Sequence, residues 1–402
     1  MTEAHLNTPA QRFSLSELVA LADTANHTLN GVRSQMLEPH PRKQPPVYTG
    51  AQVATLAGIE PKQMTYLAKR GDLPSGKHHG NGSRRLFTLA EARQYVIQLG
   101  QIAARPAGAS GATIAVVNFK GGSTKTTTAF NLAQGLTLRG RRVLICDLDP
   151  QGSSTTLTGI LPAAEVMEEQ TSAPLFIPPL DEAPKDLRYA VQKTYWDGLD
   201  LIPAAPALFS AEIFLPIHSR DPDIAWWDML NQAITPLREE YDVIIFDTAP
   251  ALSYLAVNAV IAADGLLMPV PPETLDFASS VAFWNLLSET LSALKAGRNY
   301  QKDFAFMKVL LSKVDGRGAS LIVRDWIIST YGRYMLPVEI PKNPTGSVSA
   351  IKFGTVYDMA KAGNAAETYA KSQTYTKIRE AFDRFVEMID QSIVTSVWKA
   401  AQ

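Results

Sequence analysis

Two lysines, Lys120 and Lys125, bracket the run Gly121-Gly122-Ser123-Thr124, and three hydroxyl residues follow, Thr126-Thr127-Thr128. This set of groups suits phosphate chemistry. Adjacent glycines let backbone N–H groups close around phosphate oxygens, and an ensuing helix adds the partial positive charge of its N-terminus. Lys125 supplies a point charge for β- and γ-phosphates, and Thr126 a hydroxyl for Mg²⁺. Carboxylates recur further on. Asp147-Leu148-Asp149-Pro150-Gln151-Gly152 ends one apolar run, and Asp247-Thr248-Ala249-Pro250 ends another, Val243 to Phe246. Acidic residues that close a strand are often helix caps or turn formers, so each pair alone supports either that reading or a catalytic one.

These side chains need a scaffold, and the flanking sequence supplies one. Ala112 to Val117 reads as a strand before the glycine-rich turn, and Ala129 to Leu138 as a helix after it. Arg142 to Cys146, Gly265 to Val270, Phe306 to Ser312 and Tyr334 to Ile340 are further strand-like runs separated by helical stretches. Continuous apolar runs mark strands buried on both faces. Strand–helix alternation predicts an α/β, doubly wound, mostly parallel sheet. Carboxylates at strand ends then face the crevice where such sheets bind ligands.

Three elements in this order, the two-lysine loop, DxDPQG and DxxP, resemble the deviant Walker A ATPases of the ParA/MinD family. The resemblance runs from about Thr113 to the C-terminus. It implies a homodimer that sandwiches ATP, with Mg²⁺ as cofactor. Lys120 corresponds to the signature lysine that reaches the partner's phosphates, and Lys125 to the P-loop lysine. Gly121, Gly122, Ser123, Thr124, Thr126 and Thr127 would line the nucleotide. Thr126 and Asp247 would hold Mg²⁺, with Asp147 near the metal and the loop lysine. Asp149 would orient the attacking water, and Pro341, in the turn Pro341-Lys342-Asn343, would lie against adenine. Thr124 stands where most members have glycine, and a β-branched residue restricts the backbone there. Large plasmid ParA proteins tolerate a non-glycine at this place, so the departure points to that subgroup.

Net charge is −1, which gives no global nucleic-acid signal. Cys146 is the sole cysteine. It excludes an intrachain disulfide and the paired-cysteine cluster ligation of related iron–sulfur reductases. No apolar run reaches membrane-spanning length and no signal-peptide pattern opens the chain, so a cytoplasmic protein is expected, and the resemblance implies association with the nucleoid. Lys377 to Trp398 reads as an amphipathic helix with Ile378, Phe382, Phe385, Ile389, Ile393 and Val397 on one stripe. Glu380, Asp383, Glu387 and Asp390 on its polar side would repel anionic lipid, which favours packing on the core over a membrane role. Lys352, Lys371 and Lys377 are candidates for non-specific DNA contact in a dimer.

Before the ATPase-like part, residues 1–45 carry a helix over 14–37 with a capping box, Ser14 to Glu17. Leu15, Leu18, Ala22, Ala25, Leu29, Val32 and Met36 have the spacing of a dimerisation seam, or of a helix packed on its own domain. Arg42 to Tyr48, with two prolines, reads as a linker. Residues 46–100 resemble the winged helix-turn-helix of MerR-type DNA-binding domains. Its marks are a helix ending at Gly58, a second over Glu60 to Arg70, a basic excursion from Ser75 to Arg85, and a third helix opened by Thr88-Leu89-Ala90-Glu91. Between Arg42 and Arg93 there are nine Lys/Arg and three Asp/Glu, a local net of about +6. Lys62, Gln63, Thr65, Tyr66 and Arg70 would face the major groove, and Lys77, Arg84 and Arg85 would form a phosphate- or minor-groove-contacting wing. Residues 101–111 read as a linker to the ATPase-like domain, 112–402. Two functions fit: a partition ATPase that binds operator and non-specific DNA and is stimulated by a ParB-like partner, or a nucleotide-sensing transcriptional repressor without transport.

Overall fold

The computed structural model describes residues 13–37, 43–78, 85–100, 102–316, 318–342, 354–358 and 373–399. The chain forms two compact units, Met1–Arg42 and Lys43–Gln402. Among its described residues the first contains helix α1 (Leu15–Leu37). Ser14 and Glu17 close the expected capping box: the Glu17 carboxylate accepts from the Ser14 N–H at 2.7 Å, and Ser14 Oγ accepts from the Glu17 N–H at 3.3 Å. Leu15 and Leu18 of the apolar seam are exposed. Its members Leu29, Val32 and Met36 lie outside the described side chains.

The second unit opens with a three-stranded antiparallel sheet, β1 (Val47–Thr49), β2 (Lys77–His78) and β3 (Arg85–Thr88), in the order β1-β3-β2. Val47 and Tyr48, read as linker from the nearby prolines, are instead a strand paired to Phe87 and Thr88. Burial of Tyr48 under this sheet outweighs the local turn signal. Helices α2 (Gly50–Ala57) and α4 (Leu89–Leu99) pack on the sheet, and α3 (Pro61–Arg70) packs on α2. Their limits follow local chemistry: capping boxes at Thr49/Gln52 and Thr88/Glu91, and left-handed Gly58 and Gly71 after α2 and α3. Val53, Met64, Leu67, Phe87, Leu89 and Tyr95 are buried here and join the apolar cluster that continues under the helix Lys125–Leu138 and the larger sheet.

An eight-stranded sheet follows, in the order β11-β10-β9-β4-β8-β5-β7-β6. Its strands are β4 (Ala112–Val116), β5 (Val143–Leu148), β6 (Gln192–Lys193), β7 (Leu199–Ile202), β8 (Val243–Thr248), β9 (Gly265–Val270), β10 (Phe306–Val314) and β11 (Met335–Pro341). All pair in parallel except β6 with β7. Helix α5 (Lys125–Leu138) leads from the glycine-rich loop across the sheet face, and α6 (Ser153–Leu157) follows β5. Burial of β4, β5 and β8 on both faces explains their unbroken apolar runs. Cys146 lies fully buried in β5, and burial pushes its thiol pKa far up.

The C-terminal helix Gln373–Ser392, continued by a wider turn over Ile393–Trp398, buries Ile378, Phe382, Phe385, Ile389 and Ile393. It packs against α5, where a Cβ on Gly135 would stand 2.4 Å from Val386. The helix therefore lies on the core, as its stripe suggests. Asp390, expected on the solvated face, is buried instead, where it accepts from Arg139 at 3.1 Å and Arg141 at 2.8 Å. Among the described residues no helix is long and apolar enough to cross a membrane.

A cation locks the N-terminal module to the sheet domain. Arg93, on α4, is buried. Its guanidinium donates to the Thr137 carbonyl at 2.9 Å and the Arg141 carbonyl at 3.0 Å, at the C-terminal end of α5, and pairs with Asp197. Gly198 makes room: a Cβ there would meet the guanidinium at 2.2 Å. Lys43 makes a second tie. It donates to the Leu157 carbonyl at 2.8 Å, pairs with Asp358 at 2.7 Å and lies 4.7 Å from the Tyr195 ring centroid. Desolvation lowers its pKa.

Candidate nucleotide-binding site

The carboxyl ends of β4, β5, β8, β10 and β11 frame one cavity of about 810 Å³. Gly121, Gly122, Thr124, Lys125, Thr126 and Thr127 line it from the loop after β4, and Asp149 from the turn after β5. Ile340, Pro341, Val356, Tyr375, Ile378 and Phe382 form an apolar wall at the other side, where Pro341 was expected. Ser123 is also in the loop, but its side chain is buried and its hydroxyl has no partner.

Thr124 adopts φ 73° and ψ 18°, the left-handed conformation glycine would take freely. For a β-branched residue this costs about 1–2 kcal/mol. The substitution thus leaves the loop's backbone path in place and loads it with strain. Lys125 is the first residue of α5 and is buried. Its ammonium rests 3.1 Å from the Lys120 carbonyl, inside the loop's own turn. Desolvation lowers its pKa, opposed by the nearby carboxylates of Asp247 and Asp149. Lys120 points elsewhere: its ammonium bonds the buried Asp276 and lies 3.8 Å from Glu273, and the Asp276 bond raises its pKa. In the single chain, the lysine expected to cross a dimer interface is therefore held by its own chain.

Asp147 and Asp247 are register partners on β5 and β8, both fully buried. Burial pushes Asp247 up to about 6, while the Ser154 and Thr126 hydroxyls and Lys125 oppose the shift. Its Oδ2 accepts from Ser154 at 2.8 Å, and its Oδ1 is a buried acceptor without a partner. A carboxylate oxygen left open beside a threonine hydroxyl and a phosphate-binding lysine fits a hydrated Mg²⁺. Asp147 lies next to Asp247, as expected, and its own oxygens are engaged within the chain. Its Oδ2 accepts from both the Thr155 N–H and hydroxyl at 2.8 Å, and its Oδ1 from the Asp149 N–H at 3.3 Å. Burial and the Asp247 charge raise its pKa well above the carboxylate range. Asp147 thus braces α6 and the Asp149 turn, and it is Asp149 and Asp247 that flank Lys125.

The expected DNA-facing residues divide. Lys62, Gln63, Thr65, Tyr66 and Arg70 all lie exposed on α3, with Met64, Leu67 and Ala68 turned to the core. Arg70 pairs with Asp72, and Lys77 is exposed on β2. Arg85 is turned inward, donating to the Ser75 carbonyl at 2.9 Å, so it braces the wing's base. Arg84 lies outside the described residues, as do Lys352 and Lys371; Lys377 is exposed. Lys43 and Arg93, counted in the local positive charge, are both used internally. Lys313, which the sequence reading passed over, donates to the Gly122 carbonyl at 2.7 Å.

A doubly wound parallel sheet, with a phosphate-binding loop after a central strand and carboxylates ending its neighbours, defines a P-loop nucleotide-binding protein. A family model described as an AAA domain matches residues 111–296. The chain is 31% identical over 236 residues to the chromosome partitioning protein ParA of Myxococcus xanthus, covering 58% of this chain and 76% of that one. It is 28% identical over 351 residues to protein SopA of Escherichia coli, covering 84% of this chain and 87% of that one. The crystal structure of cobyrinic acid a,c-diamide synthase from Mycobacterium smegmatis, with bound ATP analog and magnesium, is 26% identical. It superposes with a TM-score of 0.51 over 73% of this chain and 97% of that one. The protein belongs to the ParA/MinD family of P-loop ATPases.

Proposed function

We propose that this protein is a DNA-partition ATPase. The observation that carries the reading is the convergence of Lys125, Thr126 and Asp149 on one cavity, with the open oxygen of buried Asp247 behind Lys125 and Thr126, and Lys120 beside the loop. The relatives named for partition support the biological role, and the ATP analog and magnesium of the solved relative support the ligands.

ATP would occupy the cavity with its phosphates in the loop and its base against Pro341. Lys125, which now rests on a carbonyl, would take a charged phosphate oxygen as a stronger acceptor. Thr126 and Asp247 would hold Mg²⁺, which when bound neutralises charge on the phosphate oxygens. Asp149 would orient the attacking water. Asp147 would fix the segment that carries Asp149. Lys120 would leave Asp276 and reach the phosphates of a second copy, so that ATP closes a homodimer.

The closed dimer would bind non-specific DNA through backbone contacts, and a ParB-like partner would stimulate hydrolysis and release. Residues 46–100 would act as a winged helix-turn-helix. Lys62, Gln63, Thr65, Tyr66 and Arg70 on α3 would read an operator, and Lys77 would contact phosphate, giving autorepression. The protein would then work in the cytoplasm on the nucleoid.

The test is binding to random-sequence duplex at two salt concentrations, with ATP·Mg²⁺, with ADP·Mg²⁺ and without nucleotide. Salt-sensitive binding that requires ATP supports partition. Binding confined to one sequence and indifferent to ATP leaves a transcriptional repressor and removes transport.

A further inference from the structure

Three non-glycine residues among those described have positive φ, and two border the nucleotide cavity: Thr124 at φ 73° and Lys313 at φ 52°. The third, Asn299, caps a helix, where asparagine commonly adopts this conformation. Strained backbone persists only where the surroundings hold it. Thr124 has weak local support. Its hydroxyl lies 3.5 Å from that of Thr128, and it makes no side-chain cap to α5.

The support comes from across the sheet. Lys313 is the next-to-last residue of β10, two strands from β4. Its ammonium donates to the carbonyl of Gly122, two residues before Thr124, over a separation of 191 residues. Gly122 is itself left-handed, at φ 77°. Among the described residues Lys313 has no carboxylate partner, so this carbonyl is the acceptor its charge finds.

We infer that Lys313 is a positioning residue for the nucleotide: it straps the glycine-rich loop by the Gly122 carbonyl and holds the phosphate-accepting shape that Thr124 strains. This rests on the ATP-binding reading above. A loop without its strap relaxes toward unstrained turns, and only a fraction of molecules then presents converging amides. Apparent affinity falls by that fraction, equally for every nucleotide that uses the loop. Glycine at 124 occupies the left-handed region freely, so the strap matters less there.

The experiment is calorimetric titration of the full chain with ADP·Mg²⁺ and with ATP·Mg²⁺. It compares wild type with Lys313→Met, Lys313→Arg, Thr124→Gly and the Lys313→Met/Thr124→Gly double variant. Lys313→Met keeps the stem and loses the donor. It should weaken both nucleotides about tenfold, the scale expected when roughly a tenth of the loops remain competent. Lys313→Arg should bind within about twofold of wild type, because a donor is kept. In the Thr124→Gly background the same methionine should cost about twofold or less. Wild-type affinity in Lys313→Met, or the same tenfold loss with glycine at 124, overturns the strap and leaves the ATPase reading intact. A wild-type protein that binds neither nucleotide overturns both.

Discussion

The two ends of helix α5 are built on opposite plans. At its N-terminus lie a left-handed threonine, a lysine ammonium resting on its own loop and a buried carboxylate oxygen without a partner. At its C-terminus Arg93 takes two backbone carbonyls, and Arg139 and Arg141 share the buried Asp390. One end holds interactions that a ligand can complete. At the other the cations are already engaged by carbonyls and Asp390, and the buried Arg141 nitrogen without a hydrogen bond belongs to a guanidinium stacked on the Trp398 ring. A rigid helix joining them means that what happens at the phosphates is referred to a fixed frame, one that includes the N-terminal module.

The open end should fail by function and the closed end by stability. The largest effect is expected for Lys125→Ala, which removes the loop's buried charge. ATP affinity should drop about 100-fold or more in a calorimetric titration while the melting temperature changes little. Lys120→Ala should leave ATP binding and abolish hydrolysis, read by phosphate release. Retained turnover would remove Lys120 from the reaction.

Arg93→Ala tests the other end. It strips two carbonyls of their donor and should cost about 2–4 kcal/mol in denaturant unfolding, with nucleotide affinity of the folded protein kept. Equal loss of ATP binding would mean that the two ends are not separable. The smallest effect is expected from Lys62→Ala on α3. It should weaken duplex binding similarly across sequences and reduce the salt slope by about 1 if the lysine contacts phosphate. A sequence-dependent loss would instead make it a base reader.

The same contrast explains what could be read beforehand. The loop, the strand-end aspartates and the parallel strands are legible because glycine, lysine and unbroken apolar runs have few other uses in that order. The closed end is not. Arg93, Lys43 and Arg85 entered a sum of positive charge as if all faced solvent, and nothing local marks a cation that will cap a distant helix or brace a wing. Asp390 sits at a polar helical position, and only the arrival of Arg139 and Arg141 makes it interior. That Thr155 engages Asp147 through both its N–H and its hydroxyl is likewise invisible until the fold brings the start of α6 to the end of β5. Lys313 lies near the end of a strand like many surface lysines, and its role depends on a loop 191 residues away. Strands β6 and β7, of two and four residues, are too short for any period to register.

Cys146 adds a practical consequence. It is the chain's only thiol, it is fully buried in β5, and it directly precedes Asp147. The native protein thus carries a silent chemical reporter on a central strand. A thiol reagent should modify it only when the strand is exposed, so the labelling rate with and without nucleotide would time the opening of the ATPase core with no engineered probe.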